Sequence, residues 1–387
     1  MKYFVTGAAT FLGRAVTRRL IDAGHEVITV ARKPERAKDE LDGGVEVVYG
    51  DILWQNTLFD ALKGVDGIFH MSSYHHYKTK EVRENRNVSV HFSKNIKETV
   101  KELKEARQEA KDSGISVSER NNVEATRILL ETAKEMRIKR IVYTGTLAVY
   151  SDTRNRVLTE EARYTGPWNS EYEFTMWKAQ HNVVMKMAKE GLPVLTLQPG
   201  MMYGPGDIGY AHQLIYNFLR RGLSDPQDRV LRTYPRKTAY CWSYVDDVAD
   251  AHVMAMKRGT PGESYFLSGP ISTVEGVLKM ISSITHLPMP KHSLPPGVLR
   301  FEAAMMSIIG GLLPVEEGYS AEFLRSIAGT TSLAKYDKAE VILSFKPRTL
   351  YEGLRSTLYY EMNQLGLIAH DDKDGDLVVM EAEGHTT

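Results

Sequence analysis

The chain has 387 residues, enough for one large α/β unit with an appended lobe or for two domains. Lys plus Arg number 49 and Asp plus Glu number 49, so no global field favours nucleic acid or an anionic membrane. The single cysteine, Cys241, excludes an internal disulfide and a multi-thiolate metal site, and no apolar run reaches the ~18 residues of a membrane-spanning helix.

Tyr3 to Val5 reads as a buried strand. Gly7 follows in a small-residue turn, and Phe11, Leu12, Ala15, Val16 and Leu20 then recur at helical spacing. Strand, glycine turn and helix start form a cradle in which backbone N–H groups face a pyrophosphate, although any tight βα turn also wants a glycine. His25–Val30 is a second strand that ends at Arg32 and Lys33. A carboxylate there would bind ribose hydroxyls. Two cations and no acid favour NADP over NAD, unless they are simply solvated at a strand end. Val45–Ile52 is a third strand with Asp51 at its tip, Leu58, Ala61 and Leu62 mark a short helix, and Gly67–Met71 is a fourth strand. The alternation predicts an α/β fold with a doubly wound parallel sheet, whose ligands collect at the strand C-terminal ends. Gly7, Arg32, Asp51 and Met71 all fall there.

Residues 74–118 interrupt the pattern with a charged segment in which Val88, Phe92, Ile96, Val100 and Leu103 follow helical spacing. It is either a solvated helical hairpin beside the site or a lid or partner-docking arm. The adjacent His75 and His76 point in different directions and lack a third ligand at a recognised spacing, so no metal is expected. Helices are predicted over 122–133, 171–187, 211–221, 245–256, 273–285, 298–313, 321–327 and 350–363. Strands are predicted over 140–144 and 193–197, and a polar loop over 226–236. The nearly uncharged 298–313 helix is a pocket roof or an oligomer face, with a membrane-surface role left open. The division expected is a dinucleotide-binding domain over 1–200, with the insertion 74–118. A mainly substrate-binding lobe follows over 201–365, with 237–270 returning to the first domain. An acidic tail over 366–387 is expected to be disordered or loosely attached.

Eight landmarks stand in order: Thr6-Gly7-(x)5-Gly13, Gly50-Asp51-Ile52, Val65 to His70, Asn122 to Thr126, Val142 to Thr146, Tyr172, Gln198-Pro199-Gly200-(x)2-Tyr203-Gly204-Pro205-Gly206-Asp207 and Val245 to Ala249. On these the chain resembles the extended short-chain dehydrogenase/reductases, in the epimerase/dehydratase and dihydroflavonol-reductase-like branch. The resemblance spans roughly residues 1–365. It implies a Rossmann sheet with a smaller mixed C-terminal lobe, and hydride transfer between a nicotinamide and a carbon bearing a hydroxyl or carbonyl. Tyr172 takes the position of the proton-moving tyrosine and Thr146 that of the hydroxyl that binds the same oxygen. Gly7, Thr10, Phe11, Leu12, Gly13, Arg32, Lys33, Asp51, Ile52, Met71, Thr144, Tyr172, Pro199 and Met202 take cofactor-binding positions. A homodimer through the 122–133 and 171–187 helices is also implied, as is a cytoplasmic location. One cysteine and a strand in place of a signal-like start point the same way.

Two positions depart from the family. The lysine expected one helical turn after Tyr172 is Met176, and Lys178 sits ~240° round the helix from the tyrosine. The middle glycine of the phosphate turn is Thr10, which adds a side chain but offers a hydroxyl to a phosphate oxygen. Three readings stay open: a carbonyl reductase, in which a high tyrosine pKa keeps the donor protonated; a dinucleotide-binding partner or sensor with little or no turnover; and an engineered knock-out. Tyr74, Tyr77, Trp168, Met201, Met202, Tyr203 and Trp242 predict an apolar or aromatic pocket for a flavonoid-, steroid- or isoprenoid-like ketone. A sugar nucleotide, the other alternative, would draw on Arg232 and Arg236.

Overall fold

The structure, a computed structural model, describes residues 1–41, 43–73, 114–223, 233–309, 320–371 and 377–381. Tyr74, Tyr77, His75, His76, Arg232 and the helix expected within the insertion lie outside these residues.

Strands β1 (Lys2–Thr6), β2 (Glu26–Ala31), β3 (Val45–Tyr49), β4 (Gly67–His70) and β5 (Ile141–Thr144) are followed by β6 (Val157–Leu158), β7 (Val194–Pro199), β8 (Met201–Tyr203), β9 (Thr233–Pro235), β10 (Ala239–Tyr244), β11 (Ser264–Leu267) and β12 (Ile271–Thr273). The main sheet is parallel, has seven strands and runs β11-β7-β5-β4-β1-β2-β3. The order reverses between β1 and β4, which opens a crevice at their C-terminal ends. All six residues of β7 are buried, as expected of a strand covered on both faces.

Helices α1 (Phe11–Asp22), α2 (Pro34–Glu40) and α3 (Gln55–Ala61) precede two interrupted ones. In α4 a π-helical turn, Arg120–Glu124, joins Val117–Glu119 to Ala125–Glu135. In α5 another, Ala179–Val184, joins Glu171–Lys178 to Met185–Lys189. α3, α4 and α5 bury their apolar stripes in one core, with Ile68, Ile141 and Val194 of the sheet. On the other face, α1 packs with α7 (Val245–Arg258), which follows α6 (Tyr210–Leu223), around Val5, Phe69 and Leu197. Short polar residues start these helices. Thr10, Ser116 and Ser170 each accept the N–H three residues on, which satisfies an otherwise orphaned donor. The cap at Ser116 is why α4 begins before the 122–133 expected.

The second sheet runs β12-β10-β14-β6, with β8 added on β10. Here β14 is Thr331–Ala334, and β13 (His292–Leu294) pairs separately with β9. Around it lie α8 (Val274–Thr285), α9 (Pro296–Ile309), α10 (Ala321–Ile327) and α12 (Leu350–Gln364), whereas α11 (Asp337–Leu343) packs beside α7 in the core of the main sheet. Between the helix of 245–258 and β12 the chain contributes β11 to the main sheet, whereas β10 stays in the second.

Four sequence expectations need correction. β3 ends at Tyr49, because the Asp51 carboxylate accepts the Leu53 N–H and Thr57 Oγ1 accepts the Asp51 N–H, turning the chain at Gly50. Thr233–Pro235, expected in a polar loop, is a strand held by His292–Leu294. Asp337–Leu343 is a helix too short for its period to show. The tail expected to be loose from residue 366 forms an antiparallel hairpin, β15 (Leu367–Asp371) with β16 (Leu377–Glu381). There, runs of Leu, Ile and Val outweigh the flanking acids.

Candidate active site

A cavity of about 300 Å³ opens where the main sheet meets the second lobe. Its floor is the first turn of α1 (Thr10, Phe11, Leu12), Met71 and Ser73 after β4, Thr144 to Ala148 after β5, and Pro199 to Met202 after β7. Tyr172 and Glu173 enter from the start of α5. Asp207, Tyr210, Gln213, Tyr240, Phe323 and Ile327 close the cavity from the second lobe.

The hydroxyl of Tyr172 shares hydrogen bonds with the side chains of Thr146 and Ser73. Thr146 Oγ1 accepts the Ala148 N–H at 3.1 Å and so caps the 3₁₀ turn Leu147–Tyr150, which fixes its rotamer towards the site. Burial raises the Tyr172 pKa, the Ser73 and Thr146 hydrogen bonds pull it back, and the charge of Glu173 pushes the same way as burial. The phenol is therefore a proton donor at neutral pH. Met176, in the lysine position, is 3 % exposed and packs in the apolar core with Val123, Tyr143 and Leu147. Lys178 turns away, ion-pairs with Glu119 and lies 5.4 Å from the Phe174 ring centre.

On the dinucleotide side, Gly7 has φ +68°, and a Cβ at Gly13 would lie 1.9 Å from the Gly7 carbonyl oxygen. Glycine is required at both positions, and the turn is as tight as a phosphate cradle needs. The first turn of α1 carries no acidic residue, so no carboxylate of its own offsets the positive end that it turns to the cavity. These features fit a bound dinucleotide. The Thr10 hydroxyl, expected to reach a phosphate, instead donates to the Gly7 carbonyl at 2.7 Å and accepts the Gly13 N–H at 3.2 Å. It is spent within the turn, where it holds the loop that a glycine would leave free. Arg32, Lys33, Asp51 and Ile52 lie at the tips of β2 and β3, and Arg32 Nε is 3.4 Å from Asp51 Oδ2.

Of the residues predicted from sequence, Thr10, Phe11, Leu12, Met71, Thr144, Thr146, Tyr172, Pro199 and Met202 come together on the cavity, with Gly7 and Gly13 directly behind the floor. Three pocket expectations are corrected. Trp242 is fully buried in the second-lobe core and does not line the cavity. Tyr203 is fully buried in the second lobe, against Gly353 of α12, and Trp168 packs on Tyr164, Phe174 and Trp177 outside the cavity. Tyr203 and Trp242 fill the lobe interior, whereas Trp168 is half-buried in a ring cluster with the exposed Phe174. Sequence reasoning missed Ser73, Glu173, Tyr210, Tyr240 and Phe323. Only Glu173 carried a local signal, as the acid three residues after the N-cap Ser170. It is 7 % exposed, its Oε2 accepts the Asn169 N–H at 2.8 Å, and burial pushes its carboxyl up to about 7.

A Rossmann sheet whose phosphate turn, tyrosine and threonine converge on one cavity defines an NAD(P)-dependent oxidoreductase of the extended short-chain type. The chain belongs to the NAD dependent epimerase/dehydratase family, whose sequence model matches residues 3–108 and 106–267. It is similar to "Sterol demethylase protein B" of Methylococcus capsulatus, 25% identical over 303 residues, which are 78% of this chain and 79% of that one. It is also similar to a "2-alkyl-3-oxoalkanoate reductase" of Shewanella oneidensis, 26% identical over 337 residues, 81% of this chain and 74% of the relative. Among solved structures, gox2253 superposes with a TM-score of 0.68 at 23% identity, covering 94% of this chain and 98% of its own, which supports the fold.

Proposed function

We propose that the chain is an NADP-linked reductase of a ketone carried on a neutral, largely apolar small molecule. The observation that carries this reading is the charge of the cavity: among the described lining residues there is no Lys, Arg or His, and the charged ones are Glu173 and Asp207. The pyrophosphate of a sugar nucleotide would meet the Asp207 carboxylate, the Glu173 carboxyl and no cation among the described lining residues, an arrangement that does not favour binding. Tyr210, Tyr240 and Phe323 stack edge to face at the far end, and the buried Tyr210 hydroxyl has no hydrogen-bond partner among the described residues. An apolar or aromatic body with one polar group would satisfy that end. The "2-alkyl-3-oxoalkanoate reductase" among the relatives is named for a ketone substrate of mixed polar and apolar character.

The dinucleotide, when bound, supplies hydride. It would be held by the Gly7–Gly13 turn and the start of α1, with Arg32 and Lys33 at the ribose end. Thr146 and Ser73 orient the carbonyl oxygen at the Tyr172 hydroxyl, which delivers the proton. The raised pKa of Tyr172 suits this direction and disfavours alcohol oxidation, where a phenolate must form first. Met176 and Thr10 favour a second reading, a dinucleotide-binding partner without turnover. Fluorescence titration with NADPH and NADH, followed by NADPH oxidation with a panel of hydrophobic ketones, decides between them. Tight binding with no turnover in both the wild-type chain and Met176→Lys sinks the enzyme reading. We further propose that the outer faces of α4 and α5 pair two copies of the chain.

A further inference from the structure

Two carboxyl groups line the described cavity, and they differ. Asp207 is engaged by its own loop, with its two oxygens accepting the N–H groups of Gly209 at 2.8 Å and His212 at 3.0 Å. Glu173 follows Tyr172 directly on α5. Its carboxyl is fixed by the Asn169 N–H at 2.8 Å and by the Ser151 hydroxyl, which in turn accepts from Asn169 Nδ2 at 2.9 Å. The titratable groups that act on it or are acted on by it are Tyr172 on α5, Glu322 on α10 and Tyr164 in the loop before α5; Asp152 and Arg154, after the 3₁₀ turn, act on Tyr164, and Arg325 of α10 holds the Asn169 backbone. Arg325 directs its Nε to the Asn169 carbonyl at 3.2 Å. Burial raises the carboxyl pKa to about 7 and the charge of Glu322 adds to this, against hydrogen bonds from Ser151, Asn169 and Ser170.

Reduction of a ketone consumes one hydride from the dinucleotide and one proton from Tyr172. The tyrosine must then recover a proton before the next turnover. Its environment makes the phenolate a strong base. The hydroxyls beside it, Thr146 and Ser73, are weaker acids than a phenol and can only relay. Met176 has no proton to give. We propose that Glu173 is the proton reservoir of the site, returning a proton to Tyr172 after each reduction through water in the shared cavity. The carboxyl O–H bond breaks as the phenol O–H bond forms, and the carboxylate regains its proton from solvent. This inference rests on the reductase reading given above.

The test compares wild type with Glu173→Gln and Glu173→Asp. Gln keeps an oxygen for the Asn169 N–H, so a residue that only caps the helix would lose nothing, whereas a reservoir cannot tolerate an amide. Infrared difference spectra of the free protein are expected to show a protonated-carboxyl band that titrates near neutrality in wild type and is absent from Glu173→Gln. No such band overturns the proposal, whatever the activity. In steady-state reduction, wild-type kcat is expected to fall by at least about ten-fold between pH 7 and 9. Glu173→Gln is expected to be about ten-fold slower at pH 7 and flat with pH, and Glu173→Asp to recover the pH-dependent limb at a shifted position. Superimposable profiles in wild type and both variants overturn the reservoir and leave the reductase reading standing. Absence of ketone reduction by wild type at every pH overturns both.

Discussion

Arg32 Nε lies 3.4 Å from Asp51 Oδ2 and bridges the tips of β2 and β3. Arg32 is 59 % exposed, and a pair in that setting is worth only about 0–1 kcal/mol, so the guanidinium is cheaply re-aimed at a phosphate. Replacing Arg32 and Lys33 by Ala is therefore expected to weaken NADPH binding about ten-fold or more while changing NADH binding by less than about two-fold. Fluorescence titration of both cofactors measures this. Equal losses for the two would show that the cations do not read the ribose.

Tyr172→Phe is expected to keep dinucleotide affinity and to lower ketone reduction by about 10²–10⁴-fold, the span of a lost general acid. Thr146→Val removes both the oxygen-binding hydroxyl and the cap on Ala148. It should cost about 10²-fold in kcat together with about 1 kcal/mol of stability, whereas Thr146→Ser keeps both. Paired measurements of kcat and thermal midpoint separate the two effects.

Met176→Lys restores the family residue to a position that is now apolar core. Its ammonium would be buried among Val123, Tyr143 and Leu147, so a loss of about 2–4 kcal/mol is expected, seen as a lower thermal midpoint. Met176→Leu, close in volume, should stay within about 1.5 kcal/mol of wild type. A Met176→Lys chain as stable as wild type would mean that the lysine finds a polar partner in the site.

Stability should rise with pH between about 4 and 6.5. His70 bonds Thr6 through Nδ1 at 2.8 Å and Thr126 through Nε2 at 2.9 Å, and burial lowers its pKa to about 4. Buried His252 is lowered to about 4 as well. In that window the unfolded chain binds more protons at these two sites than the folded one, so their stabilisation is present above pH ~6.5 and is lost on acidification, about 3 kcal/mol each. Glu173 acts in the opposite sense, because its raised pKa costs stability as pH climbs towards 7. Two histidines outweigh one glutamate, which leaves a net gain of about 3 kcal/mol. A thermal midpoint measured from pH 4.5 to 7 should climb, and the slope should be shallower in His70→Asn.

Trp168, Phe174, Trp177 and His181 form a chain of ring contacts along α5, with Phe174 38 % exposed. If two copies pair through α4 and α5, Phe174→Glu should convert a dimer into a monomer in sedimentation equilibrium without lowering the thermal midpoint of the monomer. A wild-type chain that sediments as a monomer at micromolar concentration removes the pairing proposal.

What could be read in advance follows the range of the interaction. The main sheet was legible because each βα unit advertises itself within about 30 residues through apolar runs, turn glycines and helical spacing. Thr146 and Tyr172 were legible because family spacing fixes them on adjacent elements. The second-lobe wall was not: Tyr210, Tyr240 and Phe323 meet only after β10 pairs with β14, and none carries a pattern of its own. Tyr203 and Trp168 misled for the converse reason. A large aromatic near a motif is as useful to a core, as Tyr203 is, or to a ring cluster on a helix, as Trp168 is, as to a pocket, and the packing that decides between them is not local. Thr10 was legible as a departure, but its use as a helix cap depends on where α1 begins.

The edge of β7 has a consequence for biosynthesis. β11 is its outer partner, yet Ser264–Leu267 follows Val194–Pro199 only after most of α6, β10 and α7 has been made. At about 5–20 residues per second, a ribosome leaves that strand without its neighbour for on the order of 3–13 s. During that interval a strand whose six residues are all buried in the finished fold presents an unpaired edge to other nascent chains. A chain whose synthesis stops before Ser264 carries this exposed edge permanently. The nascent protein is thus most dependent on chaperones after its nucleotide-binding half has been made and before the last sheet strand arrives.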